Sequence, residues 1–126
     1  VPGAINTHSH GGTVGPLTPS GAASLSKEQA LTNLDTHLRQ GHTTVLSGDG
    51  FVLPEEFDVT RREHPVNHVQ ASTHMPSAFE PAKLADGAGL TPAHEAMTVE
   101  RMVELGVPAI SEVGGGVTLG GGGMDY

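Results

Sequence analysis

A well-bounded helix followed at once by a β-branched strand is the pattern that most constrains the fold of this chain. Ser26 and Gln29, three residues apart, predict a capping box at the helix start, and Gly41 marks the helix end. Residues 43–48 are then rich in β-branched Thr and Val, which predicts a strand that ends in a Gly-Asp-Gly turn. Another strand is expected near residues 4–8, so these elements form a βαβ unit with parallel strands.

The same alternation continues through the rest of the sequence. A short helix is expected over residues 54–62, and a longer helix begins at Thr91 and ends at Gly106. Strands are expected near residues 4–8, 43–48, 67–73 and 108–113. Because such alternation favours a parallel sheet with right-handed crossovers, we predict an α/β fold. Residues 1–126 are expected to form the first half of a TIM-type (β/α)8 barrel, completed by another chain or by a missing segment.

Charge and composition argue against several classes of function. The net charge is −8 with only six Lys and Arg residues, so neither nucleic acid nor an anionic membrane is expected as a partner. The sequence contains no cysteine, and any metal ligands must therefore be His, Asp or Glu. No apolar run approaches the roughly 20 residues of a membrane span and no signal peptide is visible, which favours a cytoplasmic protein.

Two histidines separated by one residue, His8 and His10, close the first expected strand. Alternate side chains of a strand point to the same face, so the two imidazoles should face the same way. Gly11 and Gly12 open a loop directly after them, and neutral imidazoles at such a place suit a borderline metal such as zinc. The alternative is a pair of solvated histidines at a strand end.

Further polar residues fall at the ends of the later strands, where a parallel barrel gathers its reactive side chains. Glu112 stands between Ile110 and Val113, and because an apolar setting makes an unpaired carboxylate costly, we expect a cation near it. Asp49 and His74 follow the second and third strands and are expected in a possible substrate pocket. The alternatives are a turn Asp that binds its own backbone and a His that caps a loop.

Two other sets of side chains are not expected to carry the chemistry. Ser9 and Ser111 have no evident partner base, so nucleophilic serine catalysis has little support. The remaining histidines are expected to be structural or solvated: His37, His42, His64, His68 and His94.

The first ten residues, Val-Pro-Gly-Ala-Ile-Asn-Thr-His-Ser-His, closely resemble the signature that opens the catalytic barrel of the amidohydrolase superfamily. That signature is Pro-Gly-hydrophobic-Ile-Asp-Thr-His-x-His, and only Asn6 departs from it. Residues 41–45, Gly-His-Thr-Thr-Val, are similar to the family's second strand, Gly-Ile/Val-Thr-Thr-Val. The resemblance covers two elements at the expected separation, with an amphipathic helix between them.

The resemblance implies part of a metal-dependent hydrolase that acts on the C–N bonds of amide-like or cyclic amide substrates. In this family the first two histidines bind the more buried metal, and they correspond to His8 and His10. A carboxylated Lys or a Glu at the end of the fourth strand bridges to a second metal, and Glu112 matches that place. A Glu followed by Val-Gly is similar to the enamidase-like branch. The implied cofactor is one or two divalent ions, zinc first, with iron, manganese or cobalt as alternatives.

The resemblance also implies partners. The family takes two more histidines from strands five and six and an Asp, the general base, from strand eight, and this chain has no counterpart of them. We therefore expect a second polypeptide that supplies the remaining strands and the general base, and hence a hetero-oligomer. The substrate is expected to be a small molecule.

Two other functions stay open. A metal-dependent phosphoesterase of the polymerase-and-histidinol-phosphatase type also begins with a strand and His-x-His. Such enzymes usually carry an Asp-His pair after the next strand, where residues 48–50 of this chain are Gly-Asp-Gly. The other is a non-catalytic half-barrel, a structural or regulatory subunit that binds a metal or a partner without turnover.

Overall fold

The computed structural model describes residues 2–14, 25–49, 52–74 and 91–113, and these residues form an α/β structure. The strands are β1 (Ala4–Ser9), β2 (His42–Ser47), β3 (Asn67–His74) and β4 (Ala109–Val113). The helices are α1 (Lys27–Arg39), α2 (Pro54–Arg61), α3 (Pro92–Glu95) and α4 (Val99–Glu104). Strands and helices therefore alternate along the described chain.

All four strands belong to one sheet, in which each strand pairs in parallel with the next in the order β1-β2-β3-β4. The predicted mixed α/β fold with a parallel sheet is thus confirmed, and the curled sheet is compatible with part of a (β/α) barrel. Because the strands run the same way, their carboxyl ends lie at one edge of the sheet. We call this edge, which includes the ends of β1 to β4, the carboxyl edge.

The sequence signals that mark the two ends of α1 are present in the structure. Ser26 Oγ accepts a hydrogen bond from the Gln29 amide at 3.3 Å, and Gln29 Oε1 accepts one from the Ser26 amide at 3.0 Å. At the other end Gly41 adopts a left-handed φ of +88°, which glycine reaches without a steric penalty. The capping box and the glycine stop therefore place α1 where the sequence predicts it.

Among the described residues, a buried hydrophobic cluster joins α1 to the sheet. Leu34 of α1 and Val45 of β2 are fully buried and form one cluster with Val66, which precedes β3. Phe57 and Thr60 are the buried residues of α2, which contacts both α1 and β3. These contacts hold α1 and α2 against the sheet.

The prediction of a single helix from Thr91 to Gly106 is wrong, because the structure has two short helices there. Thr98 starts the second one, since its hydroxyl oxygen accepts a hydrogen bond from the Arg101 amide at 3.2 Å. The apolar spacing of Val99, Met102 and Val103 marks only α4, and α3 ends before Thr98 begins the next cap. The side chain of Thr98 thus breaks the continuous pattern.

The described surface exposes four large hydrophobic side chains, of which Ile5 of the outer strand β1 is the most exposed at 66%. The others are Val59, Val103 and Leu105. Within the described residues, no helix combines the length and the apolar character that crossing a membrane requires.

Candidate metal centre

His8 and His10 bring their ring nitrogens together at the carboxyl end of β1. Nε2 of His8 lies 3.2 Å from Nε2 of His10, and the two ring planes meet edge to face at 77°. Two nitrogen ligands at about 2.0–2.1 Å from one tetrahedral zinc ion lie roughly 3.3 Å apart. The observed separation therefore fits both imidazoles on a single ion. Both residues are exposed, so an ion can reach them from solvent.

An irregularity in β1 shapes the backbone beside these rings. Between Asn6 and Ser9, β1 contains one residue more than the segment of β2 with which it pairs. Asn6 Oδ1 accepts a hydrogen bond from the His8 amide at 3.0 Å, while the buried Ser9 donates its hydroxyl to the Leu46 carbonyl at 3.1 Å. Bulges of this kind commonly redirect a side chain near a functional site. Asn6 thus helps to hold the backbone at His8.

Asp49 lies behind His10, buried at 2% exposure. Its carboxylate accepts hydrogen bonds from the amides of Gly11, Gly12 and Thr13 at 2.6, 2.9 and 3.0 Å, and from the Thr13 hydroxyl at 2.8 Å. The Oδ1 atom is also 3.7 Å from Nδ1 of His10. The sequence predicts Asp49 in a substrate pocket. The structure places its side chain against residues 11–13, which follow β1, and away from solvent.

His74 and Glu112 share the carboxyl edge with the two histidines. His74 is the last residue of β3 and pairs with Val113, the last residue of β4, so Glu112 is one residue from the end of its strand. The side chains of His74 and Glu112 lie outside what the structure describes. Among the described residues, no group of three or more His, Asp or Glu side chains could hold a metal ion. The described part of the chain therefore supplies the His8 and His10 pair alone.

A buried serine–histidine contact is the feature that sequence reasoning missed. Ser47 Oγ lies 2.7 Å from Nε2 of His68, and both residues are almost fully buried. A Cβ atom on Gly12 would lie 2.7 Å from Ser47 Oγ and 2.9 Å from His68 Nε2, so the loop after β1 covers the pair. Because both side chains are almost fully buried, we assign this contact a structural role. The alternation of Val45 and Ser47 in β2 is the signal that could have placed Ser47 among buried side chains.

The environment of His68 keeps its ring neutral. Its imidazole packs against the ring of Phe57 with centroids 4.5 Å apart. Burial lowers the pKa of His68 to about 4, and nearby basic groups act in the same direction. His68 is thus a structural residue of β3, uncharged at neutral pH.

His94 and His64 each join separate elements through a carboxylate. Nε2 of the buried His94 lies 3.0 Å from both carboxylate oxygens of Glu56, and its Nδ1 accepts a hydrogen bond from the Thr91 amide at 3.0 Å. In the same way, Nε2 of His64 is 3.1 Å from Asp35 of α1. These pairs tie α3 to α2 and the start of β3 to α1, which are structural roles.

Comparison with models of protein families, with curated proteins and with solved structures produced no match for this chain.

Proposed function

We propose that this chain is the metal-binding part of a metal-dependent amidohydrolase, which hydrolyses an amide-like or cyclic amide C–N bond. The observation that carries the proposal is the 3.2 Å separation of the His8 and His10 Nε2 atoms at the carboxyl end of the first strand. In parallel barrels, this end of the strands is where ligands and catalytic groups gather.

The proposal includes a finer fold than the parallel sheet itself. The four strands follow one another in sequence order, and a helical segment connects each to the next. This arrangement is compatible with the first four units of a TIM-type (β/α)8 barrel, which is the fold we propose. The remaining strands would come from a second polypeptide or from a further segment, and they would pair with the outer strands β1 and β4.

The ligand set proposed for the metal is His8, His10 and Glu112. Two imidazoles with one carboxylate suit zinc, and the same donors accept iron, manganese or cobalt. A bound ion of this kind supplies a water of lowered pKa and polarises a carbonyl as a Lewis acid, which is the chemistry that C–N hydrolysis requires. Within the chain, the two imidazoles bind and orient the ion, while the general base would belong to the other half of the barrel.

Metal binding by the His8→Ala variant tests the proposal. Loss of one of two converging imidazoles should reduce zinc uptake to the background level and abolish hydrolysis by the assembled enzyme. Equilibrium dialysis followed by elemental analysis measures the zinc bound to each protein. The matched control is His37→Gln. His37 is in the last turn of α1, which ends near the amino end of β2, so it lies away from the carboxyl edge where His8 and His10 meet. Zinc uptake by His8→Ala equal to that of the wild type and the control would refute the ligand assignment.

A non-catalytic metal-binding subunit is the second candidate. It is favoured by one observation, namely that the described residues bring together two ligand histidines and no third ligand. Such a subunit would bind zinc through His8 and His10 but would leave hydrolysis of amide-like substrates unchanged when it is added to its copurifying partner. An increase in turnover that depends on His8 would instead support the amidohydrolase.

A further inference from the structure

We propose that Asp49 is a positioning residue of the metal centre. Its buried carboxylate fills a nest of backbone amides at residues 11–13 and orients the imidazole of His10, so that Nε2 faces His8. This inference rests on the proposed function, because it assigns a role within the same site.

The backbone after β1 forms an anion-binding nest. The amides of Gly11, Gly12 and Thr13 are consecutive, and all three donate to the carboxylate of Asp49, with the Thr13 hydroxyl as a fourth donor. Gly11 adopts a left-handed φ of +83°, which turns its amide toward the same acceptor as the next two. Because the acceptor is charged, these hydrogen bonds are stronger than neutral ones. The carboxylate of Asp49 thus holds the segment that begins directly after His10.

The nest is also held from the side opposite the carboxylate. The Asn33 side-chain amide donates to the Gly11 carbonyl at 2.8 Å, and the Thr60 hydroxyl donates to the Gly12 carbonyl at 2.9 Å. These contacts tie the loop to α1 and α2, but both are neutral. Asp49 differs from them because it brings a negative charge to within 3.7 Å of the His10 ring.

The negative charge of Asp49 affects which nitrogen of His10 is free to bind a metal. An Nδ1–H group directed at the carboxylate is favoured electrostatically, and it leaves the lone pair on Nε2. The 3.7 Å separation is longer than a hydrogen bond, and catalytic and ligand contacts commonly shorten when the site is filled. A ligand histidine whose other nitrogen faces a carboxylate is a common arrangement, which fixes the tautomer and the orientation of the ring. Nε2 of His10 is thereby presented toward Nε2 of His8.

The first test replaces Asp49 by asparagine, which keeps the shape and removes the charge. Asp49→Asn should weaken zinc binding by about 10–100-fold, measured by competition with a chelator. In the metal-free protein, nitrogen NMR should show His10 protonated at Nδ1 in the wild type and a mixture of the two tautomers in the variant. Loss of loop anchoring alone would not change the tautomer. Wild-type zinc affinity together with an unchanged tautomer in Asp49→Asn would overturn the proposal.

The matched control is Glu56→Gln, which makes the same carboxylate-to-amide change beside the buried His94. It should lower stability while zinc affinity and the His10 tautomer stay at their wild-type values. An equal loss of zinc affinity in this control would show that general destabilisation, and not Asp49, sets the affinity.

The second test empties the nest and refills it. In Asp49→Gly the three amides lose their acceptor, and added formate, a carboxylate small enough for the nest, should restore zinc affinity and the Nδ1–H signal of His10. Formate should have no such effect on Glu56→Gln. No recovery at any formate concentration that leaves the protein folded would contradict the nest. Because the tautomer is read without metal, this arm separates failure of the Asp49 assignment from failure of the wild type to bind zinc.

Discussion

At the scale of single residues, the imidazole groups of the described histidines lie in two opposite environments. His8 and His10 are exposed with their nitrogens 3.2 Å apart, whereas His68 is buried against Phe57 with a lowered pKa. The sequence could predict that the first pair lies close together, because only one residue separates the two histidines at the end of an expected strand. It could not predict the environment of His68, because Ser47 and Phe57 come from two other elements and only the packed sheet brings them together.

The buried ring of His68 should make stability fall on acidification. The unfolded chain binds a proton at this residue below about pH 6.5, whereas the folded chain does so only below about pH 4. Stability from this source is therefore complete above about pH 6.5 and is lost as the pH falls toward 4, by up to ~3 kcal/mol. Urea unfolding of the wild type and of His68→Gln across this range measures the difference. We expect the acid-side slope to be smaller in the variant, and parallel curves would show that His68 does not titrate in this way.

At the scale of elements, local signals in the sequence were sufficient where one helix or strand sets its own bounds. The capping box at Ser26 and the left-handed Gly41 act within a few residues of the helix they bound. Thr98, in contrast, stands where the apolar spacing continues, and its role as a cap emerges only when the backbone turns there. The extra residue of β1 could not be predicted from the sequence either. A bulge is defined by the pairing of β1 with β2, and the sequence of β1 alone does not reveal it.

Removal of the Ser26 cap should cost stability without changing the metal centre. Ser26→Ala loses the acceptor for the Gln29 amide, and we expect a decrease of about 1 kcal/mol in the free energy of unfolding. Thr32→Ala is the control, since the exposed Thr32 hydroxyl donates to the Glu28 carbonyl of its own helix. Chemical denaturation compares the two variants. A larger loss in Thr32→Ala than in Ser26→Ala would contradict the role of the cap.

At the scale of the whole molecule, the described chain is a parallel sheet whose outer strands are β1 and β4. The alternation of elements predicts this topology, because successive parallel strands need helical crossovers between them. In the described residues, Leu34, Val45 and Val66 form a buried cluster beside this sheet, and Ile5 on β1 is exposed. The same topology places the ends of β1 to β4, which are far apart in sequence, along one edge of the sheet.

The central claim is that His8 and His10 bind one metal ion together. X-ray absorption spectroscopy of the zinc-loaded protein tests it most directly, because imidazole ligands give a characteristic multiple-scattering pattern. The account predicts two imidazole nitrogens at about 2.0–2.1 Å from zinc, and loss of this imidazole pattern in His8→Ala, whose zinc uptake should fall to the background level. A zinc shell made only of oxygen, or a spectrum that His8→Ala leaves unchanged, would contradict it.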